Sequence, residues 1–266
     1  MIRSLPYFVV DAFTARPFAG NPAAVVPLAD WLPDPLLQQI AAEMALSETA
    51  FFVAEADGFR LRWLTPTVEV DLCGHATLAT AHVISRLLEP GRAAMRFYTR
   101  SGALDVTGDG DALTLDFPAH APERLDDAAL AARVGDALGA APVELWRSRN
   151  LLAVLADAAA VRGLAPDFRR VGALPTEGVI VTAPGDGAAD FVSRYFTPQH
   201  GIDEDPVTGS AHCTLAPYWT ARLGRPTLVA HQVSRRGGEL RVTAAGERVR
   251  MTGNAVVMAR GELYLP

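Results

Sequence analysis

Glu48, His75 and Asp205 are the side chains whose settings suit proton transfer. Glu48 stands in Ser47-Glu48-Thr49, between a helical segment with one apolar face and the apolar run Ala50-Phe51-Phe52-Val53. Apolar surroundings raise a carboxyl pKa toward neutrality, which suits a general acid/base; at an exposed helix end the same residue would be only a solvated charge. His75 follows Cys73-Gly74, and Asp205 closes the acidic run Asp203-Glu204-Asp205 before Pro206. Acids ahead of a helix serve ordinarily as caps and dipole complements. Paired with His75, Asp205 becomes a candidate for hydrogen-bonding a substrate or shuttling protons.

Cys73-Gly74-His75 and Thr208-Gly209-Ser210 each open a run that reads as a buried helix. A helix amino end has free N–H groups and partial positive charge, and glycine lets a ligand approach the backbone. Cys73, Gly74, Thr208, Gly209 and Ser210 are therefore candidates for binding a small carboxylate. Either glycine alone could serve only a tight strand-to-helix turn; their recurrence at matching places favours binding.

That recurrence runs through the chain. Arg62-Trp63-Leu64-Thr65-Pro66 returns as Arg194-Tyr195-Phe196-Thr197-Pro198, and Gly102-Ala103-Leu104-Asp105-Val106-Thr107 returns as Gly238-Glu239-Leu240-Arg241-Val242-Thr243. More weakly, Asn21 and Asn150, and the segments around Glu48 and Glu177, also correspond. Units of this size are too long for a solenoid, so two domain-sized halves with an active site in the cleft between them are expected.

The supporting elements follow from periodicity. A strand spans Tyr7 to Ala12, and Gly20-Asn21-Pro22 is a turn. Asp34-Pro35 is expected to cap and start a helix whose apolar face is Leu36, Leu37, Ile40, Ala41 and Met44. Gly74 to Leu88 carries no charge before Arg86, the mark of a helix buried on every side. Alternating strands occupy Arg96 to Pro118, and Asp126 to Leu138 is an alanine-rich helix. The programme then repeats: strands near Leu151 to Leu155, Val179 to Thr182 and Val192 to Phe196, a buried helix from Ser210 to Leu223 that Pro217 should kink or break, and hairpin strands from Leu228 to Tyr264. An α+β fold is expected, each half a mixed curled sheet around one helix. The halves are 1–118, joined by the last strand at about 257–266, and 119–256.

Composition excludes several classes. A chain of 266 residues with 50% hydrophobic and 20% charged residues buries a large core. The net charge of −6, without a basic cluster, speaks against nucleic acid. The absence of a membrane-length apolar run or a signal-peptide core makes a cytoplasmic protein the expectation. Two cysteines make no disulfide framework. All 24 basic residues are arginine. Without lysine the imine that pyridoxal phosphate or a Schiff-base aldolase requires is excluded, and there is no Walker lysine. His75, His82, His200, His212 and His231 are scattered, so no metal is expected.

The ordered motifs Val10-Asp11-Ala12-Phe13, Gly20-Asn21-Pro22-Ala23, Leu46-Ser47-Glu48-Thr49-Ala50-Phe51, Asp71-Leu72-Cys73-Gly74-His75-Ala76-Thr77 and Glu204-Asp205-Pro206-Val207-Thr208-Gly209-Ser210-Ala211 resemble the phenazine-biosynthesis PhzF family across nearly the whole chain. The resemblance implies a diaminopimelate-epimerase-like fold, a homodimer, no cofactor, and isomerisation of the type undergone by trans-2,3-dihydro-3-hydroxyanthranilate. Glu48 would then carry the proton, His75 and Asp205 would hold and polarise the substrate, and Gly74 and Ser210 would bind it. Relatives of that fold that racemise amino acids use a cysteine at each helix terminus. Here Cys73 is matched by Thr208, whose hydroxyl is too weak an acid to replace a thiol, and Cys213 lies inside a buried helix. An amino-acid epimerase with one thiol and a binding module without turnover remain the alternatives.

Overall fold

The computed structural model describes residues 3–265. The chain divides into two units, one comprising Met1–Asp116 with Thr252–Pro266 and the other Phe117–Met251.

In the first unit, β1 (Arg3–Ala12) pairs antiparallel with β2 (Asn21–Leu28) on one side and with the final strand, Ala255–Leu265, on the other. Helix α1 (Asp34–Met44) carries the chain from β2 to β3 (Glu48–Glu55), which lies parallel to β2. Antiparallel β4 (Gly58–Leu64) and β5 (Glu69–Val70) follow. Helix α2 (Gly74–Val83), extended by a π-helical turn over Ile84–Leu88, leads to β6 (Ala94–Thr99), parallel to β4. β7 (Gly102–Asp109) and β8 (Ala112–Pro118) complete the meander.

The second unit begins with β9 (Glu123–Arg124), α3 (Ala128–Leu138), and β10 (Glu144–Arg147), which pairs with β9. It then runs through β11 (Leu151–Val154), short helices α4 (Ala158–Arg162) and α5 (Phe168–Gly172), and β12 (Val179–Pro184) parallel to β11. Antiparallel β13 (Phe191–Thr197) and β14 (Ile202–Asp205) precede α6 (Gly209–Leu223). β15 (Thr227–Gln232) returns parallel to β13, followed by β16 (Gly238–Ala245) and β17 (Arg248–Gly253). The order from β2 to β7 is thus repeated from β11 to β16, with the same parallel and antiparallel choices.

Matched arginines brace the corners before the buried helices. Arg62 on β4 grips Glu69 on β5 with two bonds, Nε–Oε1 at 2.8 Å and Nη2–Oε2 at 2.6 Å. Arg194 on β13 grips Glu204 on β14 in the same way, at 2.6 and 2.8 Å. A guanidinium fork fits a carboxylate edge to edge, so each pair fixes orientation as well as attraction.

Helix α2 is buried at every position except His82. Its threonines are satisfied inside the helix: Thr77 Oγ1 donates to Cys73 O at 2.5 Å and Thr80 Oγ1 to Ala76 O at 2.7 Å. Helix α1 starts one residue earlier than its sequence suggests. Pro33 is the cap, and Asp34, inside the first turn, turns its carboxylate to Arg62 Nη1 at 2.8 Å. Pro217 does not break α6, which runs from Gly209 to Leu223. Proline cannot donate to the carbonyl four residues back, and that carbonyl, Cys213 O, accepts instead from His120 N at 2.9 Å.

His212 on α6 donates from Nδ1 to Thr208 O at 2.7 Å, and burial holds its pKa down to about 4. Its folded pKa lies below its ordinary value of 6.5, so the folded state binds fewer protons than the unfolded state as the solution is acidified. The stability that neutral His212 contributes is whole above about pH 6.5 and is lost as the pH falls to about 4, at most on the order of 3 kcal/mol. Urea unfolding across that range should show this loss, and His212→Gln should flatten it.

Candidate active site

The strand-to-helix corner at the amino end of α2 gathers four side chains of the first unit. Cys73 is the cap residue, extended at φ −141° and ψ 112°, and contributes no side-chain capping bond. His75, in the first turn, is 3% exposed. Its Nε2 lies 3.1 Å from Glu48 Oε2 at the start of β3. These two atoms are within ion-pair reach, yet neither makes a properly directed hydrogen bond, so the contact is electrostatic. On the other side of the ring, Nδ1 lies 3.1 Å from Asn21 Nδ2 and 3.5 Å from Cys73 Sγ. With the Asn21 amide donating to Nδ1, the neutral ring carries its proton on Nε2, facing Glu48.

Asn21 owes its place to Gly20, whose φ is +67° and where a Cβ would collide with the Ala12 carbonyl oxygen. Only glycine fits that turn, which delivers Asn21 into β2 beside His75. In the sequence Asn21 is part of a turn, a match to Asn150 and a member of one family motif, but nothing there marks it as a partner of the imidazole.

Burial pulls the His75 pKa down, but its interactions with Cys73 and Glu48 outweigh that, and the net direction is well upward. Burial and the neighbouring Glu48 push the Cys73 thiol to about 11. Cys73 is therefore a thiol at neutral pH.

In the second unit, the matching corner has Thr208 as the cap of α6, also extended, at φ −112° and ψ 103°. The Thr208 hydroxyl donates to Asp205 Oδ2 at 2.5 Å instead of capping the helix. Gln232 on β15, 1% exposed, ties the corner together. Its Nε2 donates to Asp205 O at 2.7 Å and to Thr208 Oγ1 at 3.0 Å, and its Oε1 accepts from Thr208 N at 2.8 Å. Nothing in the local sequence marks Gln232, which reaches the corner only through the parallel pairing of β13 with β15. Gly209 is buried and Ser210 half-buried in the first turn of α6. Glu177, the sequence counterpart of Glu48, is exposed before β12.

The structure therefore brings Glu48, Cys73 and His75 together with Asn21, and separately brings Asp205 together with Thr208 and Gln232. Glu48 is less isolated than its apolar neighbours suggest, because the fold places an imidazole against it. Both corners offer backbone N–H donors with no partner inside the helix, an arrangement suited to carboxylate groups. No helix among the described residues is long and apolar enough to cross a membrane.

Two units wound to one plan, each turning from a short strand into a buried helix, define the diaminopimelate-epimerase-like class. A hydroxyproline epimerase from Agrobacterium vitis, solved with trans-4-hydroxy-L-proline, shares the fold at TM-score 0.64 and 12% identity, over 99% of this chain and 93% of that one. Within the class the family is specific: residues 10–261 match the family described as phenazine biosynthesis-like protein. An uncharacterized isomerase of Pseudomonas aeruginosa is 50% identical over 98% of this chain and 99% of its own length. The crystal structure of a PhzF-family protein from Enterococcus faecalis superposes at TM-score 0.95 with 47% identity, over 99% of this chain and all of that one. The chain belongs to the PhzF family, and isomerisation is the reaction class these relatives support.

The raised thiol pKa has a direct consequence. Iodoacetamide should modify Cys73 about a hundredfold more slowly than a free thiol at pH 8, with a rate that climbs toward about pH 11. Peptide mapping by mass spectrometry measures this, and fast labelling at pH 8 would contradict a buried neutral thiol.

Proposed function

We propose that this protein is a cofactor-independent isomerase that relocates a proton between two carbons of a small carboxylate, with Glu48 as the proton carrier. The observation that carries this reading is the 3.1 Å approach of Glu48 Oε2 to His75 Nε2 at the amino end of a buried helix. A carboxylate beside an imidazole can accept a proton from carbon while the neighbouring charge compensates its own, then return the proton to a second carbon. Substrate and product differ only in the position of that proton, so the reaction needs no external oxidant or reductant. The N–H groups of Gly74 and His75 are suited to the negative charge of a bound carboxylate and of an enolate-like intermediate.

In the second unit, the corner of Asp205, Thr208, Gly209 and Ser210 is suited to binding a carboxylate, with Gln232 keeping Asp205 and Thr208 in place. The family prototype, trans-2,3-dihydro-3-hydroxyanthranilate, is the first substrate to test. A homodimer is the proposed assembly, and sedimentation equilibrium is the check.

A thiolate base, as an amino-acid epimerase would use, is disfavoured by the Cys73 thiol held at about 11. Two variants separate the mechanisms. In deuterated water, wild type should convert the prototype with deuterium entering the product, and Glu48→Gln should lower kcat on the order of 10²- to 10⁴-fold. Cys73→Ala should cost less than tenfold. Full turnover by Glu48→Gln would remove the proton-carrier assignment, and a Cys73→Ala loss as deep as that expected of Glu48→Gln would move the chemistry to the thiol.

A further inference from the structure

The corner that holds Glu48 and His75 also contains a thiol that the proposed reaction does not use, and the three side chains together make a donor set. One ligand atom from each of Glu48, Cys73 and His75 lies within 4.8 Å of the others. Cys73 Sγ and His75 Nδ1 are 3.5 Å apart. Two ligands of one tetrahedral zinc ion, at ordinary Zn–S and Zn–N lengths, are separated by about 3.5 Å. The sulfur and Nδ1 therefore already stand at the spacing of a shared ion, while Glu48 Oε2, 3.1 Å from Nε2, must turn away from that nitrogen to join them as the third ligand. Spacing in sequence gave no hint of a metal, since Glu48 is far from the Cys73-Gly74-His75 run; β3 and the cap of α2 bring the donors together.

The donor types select the ion. Thiolate and imidazole favour zinc and cadmium, whereas magnesium and calcium demand shells of oxygen. Three protein ligands leave a fourth position for water or an added anion.

We propose that Glu48, Cys73 and His75 bind one thiophilic divalent cation, zinc or cadmium, and that the bound ion shuts the centre off. Coordination breaks the Cys73 S–H bond and, where the ring is an imidazolium, its Nδ1–H bond, forms metal–sulfur and metal–nitrogen bonds and releases those protons to solvent; no electrons are transferred. An ion bridging Sγ and Nδ1 replaces the Asn21 contact on that nitrogen. Inhibition follows because Glu48, once a ligand, can no longer take a proton from carbon. Only this inhibitory part rests on the proton-carrier reading; binding does not.

Zinc titrated into the purified full chain by calorimetry should bind at one ion per chain. Cobalt in its place should give a thiolate-to-metal charge-transfer absorption. Cys73→Ser should abolish that band, whereas Cys213→Ala should keep it. Glu48→Gln should keep the band but weaken binding by at least about 10-fold, since losing a direct ligand costs no less than losing the outer-shell partner of one. Zinc should also protect Cys73 from alkylation in the wild-type protein, a readout that needs no variant. No band with wild type, a band that survives Cys73→Ser or vanishes with Cys213→Ala, or Cys73 alkylated equally with and without zinc would each overturn the site. Absence of isomerase activity would leave the cobalt result unaffected, so the two assignments fail separately. Where turnover is measurable, zinc should suppress it and a chelator should restore it; zinc bound in the cobalt-reporting site with unchanged turnover would overturn the inhibitory part.

Discussion

Burying the amino end of a helix is the constraint on which the rest of this structure depends. The first N–H groups of α2 and α6 have no partners within their own helices, and leaving such groups dry without a partner is costly. A specific polar set stands at each end: Asn21, Glu48, Cys73 and His75, in contact with one another, at one, and Asp205, Thr208 and Gln232 at the other, where Gln232 Oε1 accepts from Thr208 N. The same positive helix end that needs satisfying is the one that attracts a carboxylate. Structural necessity and binding capacity are here one property of the backbone.

The surrounding elements hold those corners still. The arginine forks, Arg62 on Glu69 and Arg194 on Glu204, fasten the short strand before each helix to the strand behind it. Both pairs are largely shielded from water, where a bidentate contact is screened less than on the surface. Gly20 sets the entry of Asn21, and Gln232 stitches β15 to the cap of α6. Each unit repeats the same device with different residues. The divergence of Cys73 from Thr208 shows how one corner keeps a polarisable donor while the other turns its hydroxyl onto an aspartate.

The two ionisable partners of His75 pull in a way that separates their roles. Cys73 is kept protonated by burial and by the adjacent carboxylate, while Glu48 is positioned to share charge with the ring. At neutral pH this makes the carboxylate the stronger candidate for moving a proton. A metal ion would reverse the assignment by recruiting the sulfur as thiolate, because a cation close by stabilises the deprotonated form.

Much of this was legible in the chain. The repeat announced two units of one design, the uncharged run after Gly74 announced a buried helix, and Glu48, His75 and Asp205 stood out by residue type and motif. Local signals at chain ends of elements were less decisive: the Asp34-Pro35 start moved by one residue because Asp34 pairs with Arg62, and Pro217 sits in an unbroken helix because His120 takes up the carbonyl it strands. What the sequence determined by itself were the periodicities and the motif residues, since these depend on side-chain type and short-range spacing. Only the tertiary structure decided that Asn21 meets His75, that Gln232 holds Asp205, and that Glu48, Cys73 and His75 share a corner. Those contacts join strands and helix ends far apart in sequence, and pairing register, which no local pattern encodes, sets which of them touch.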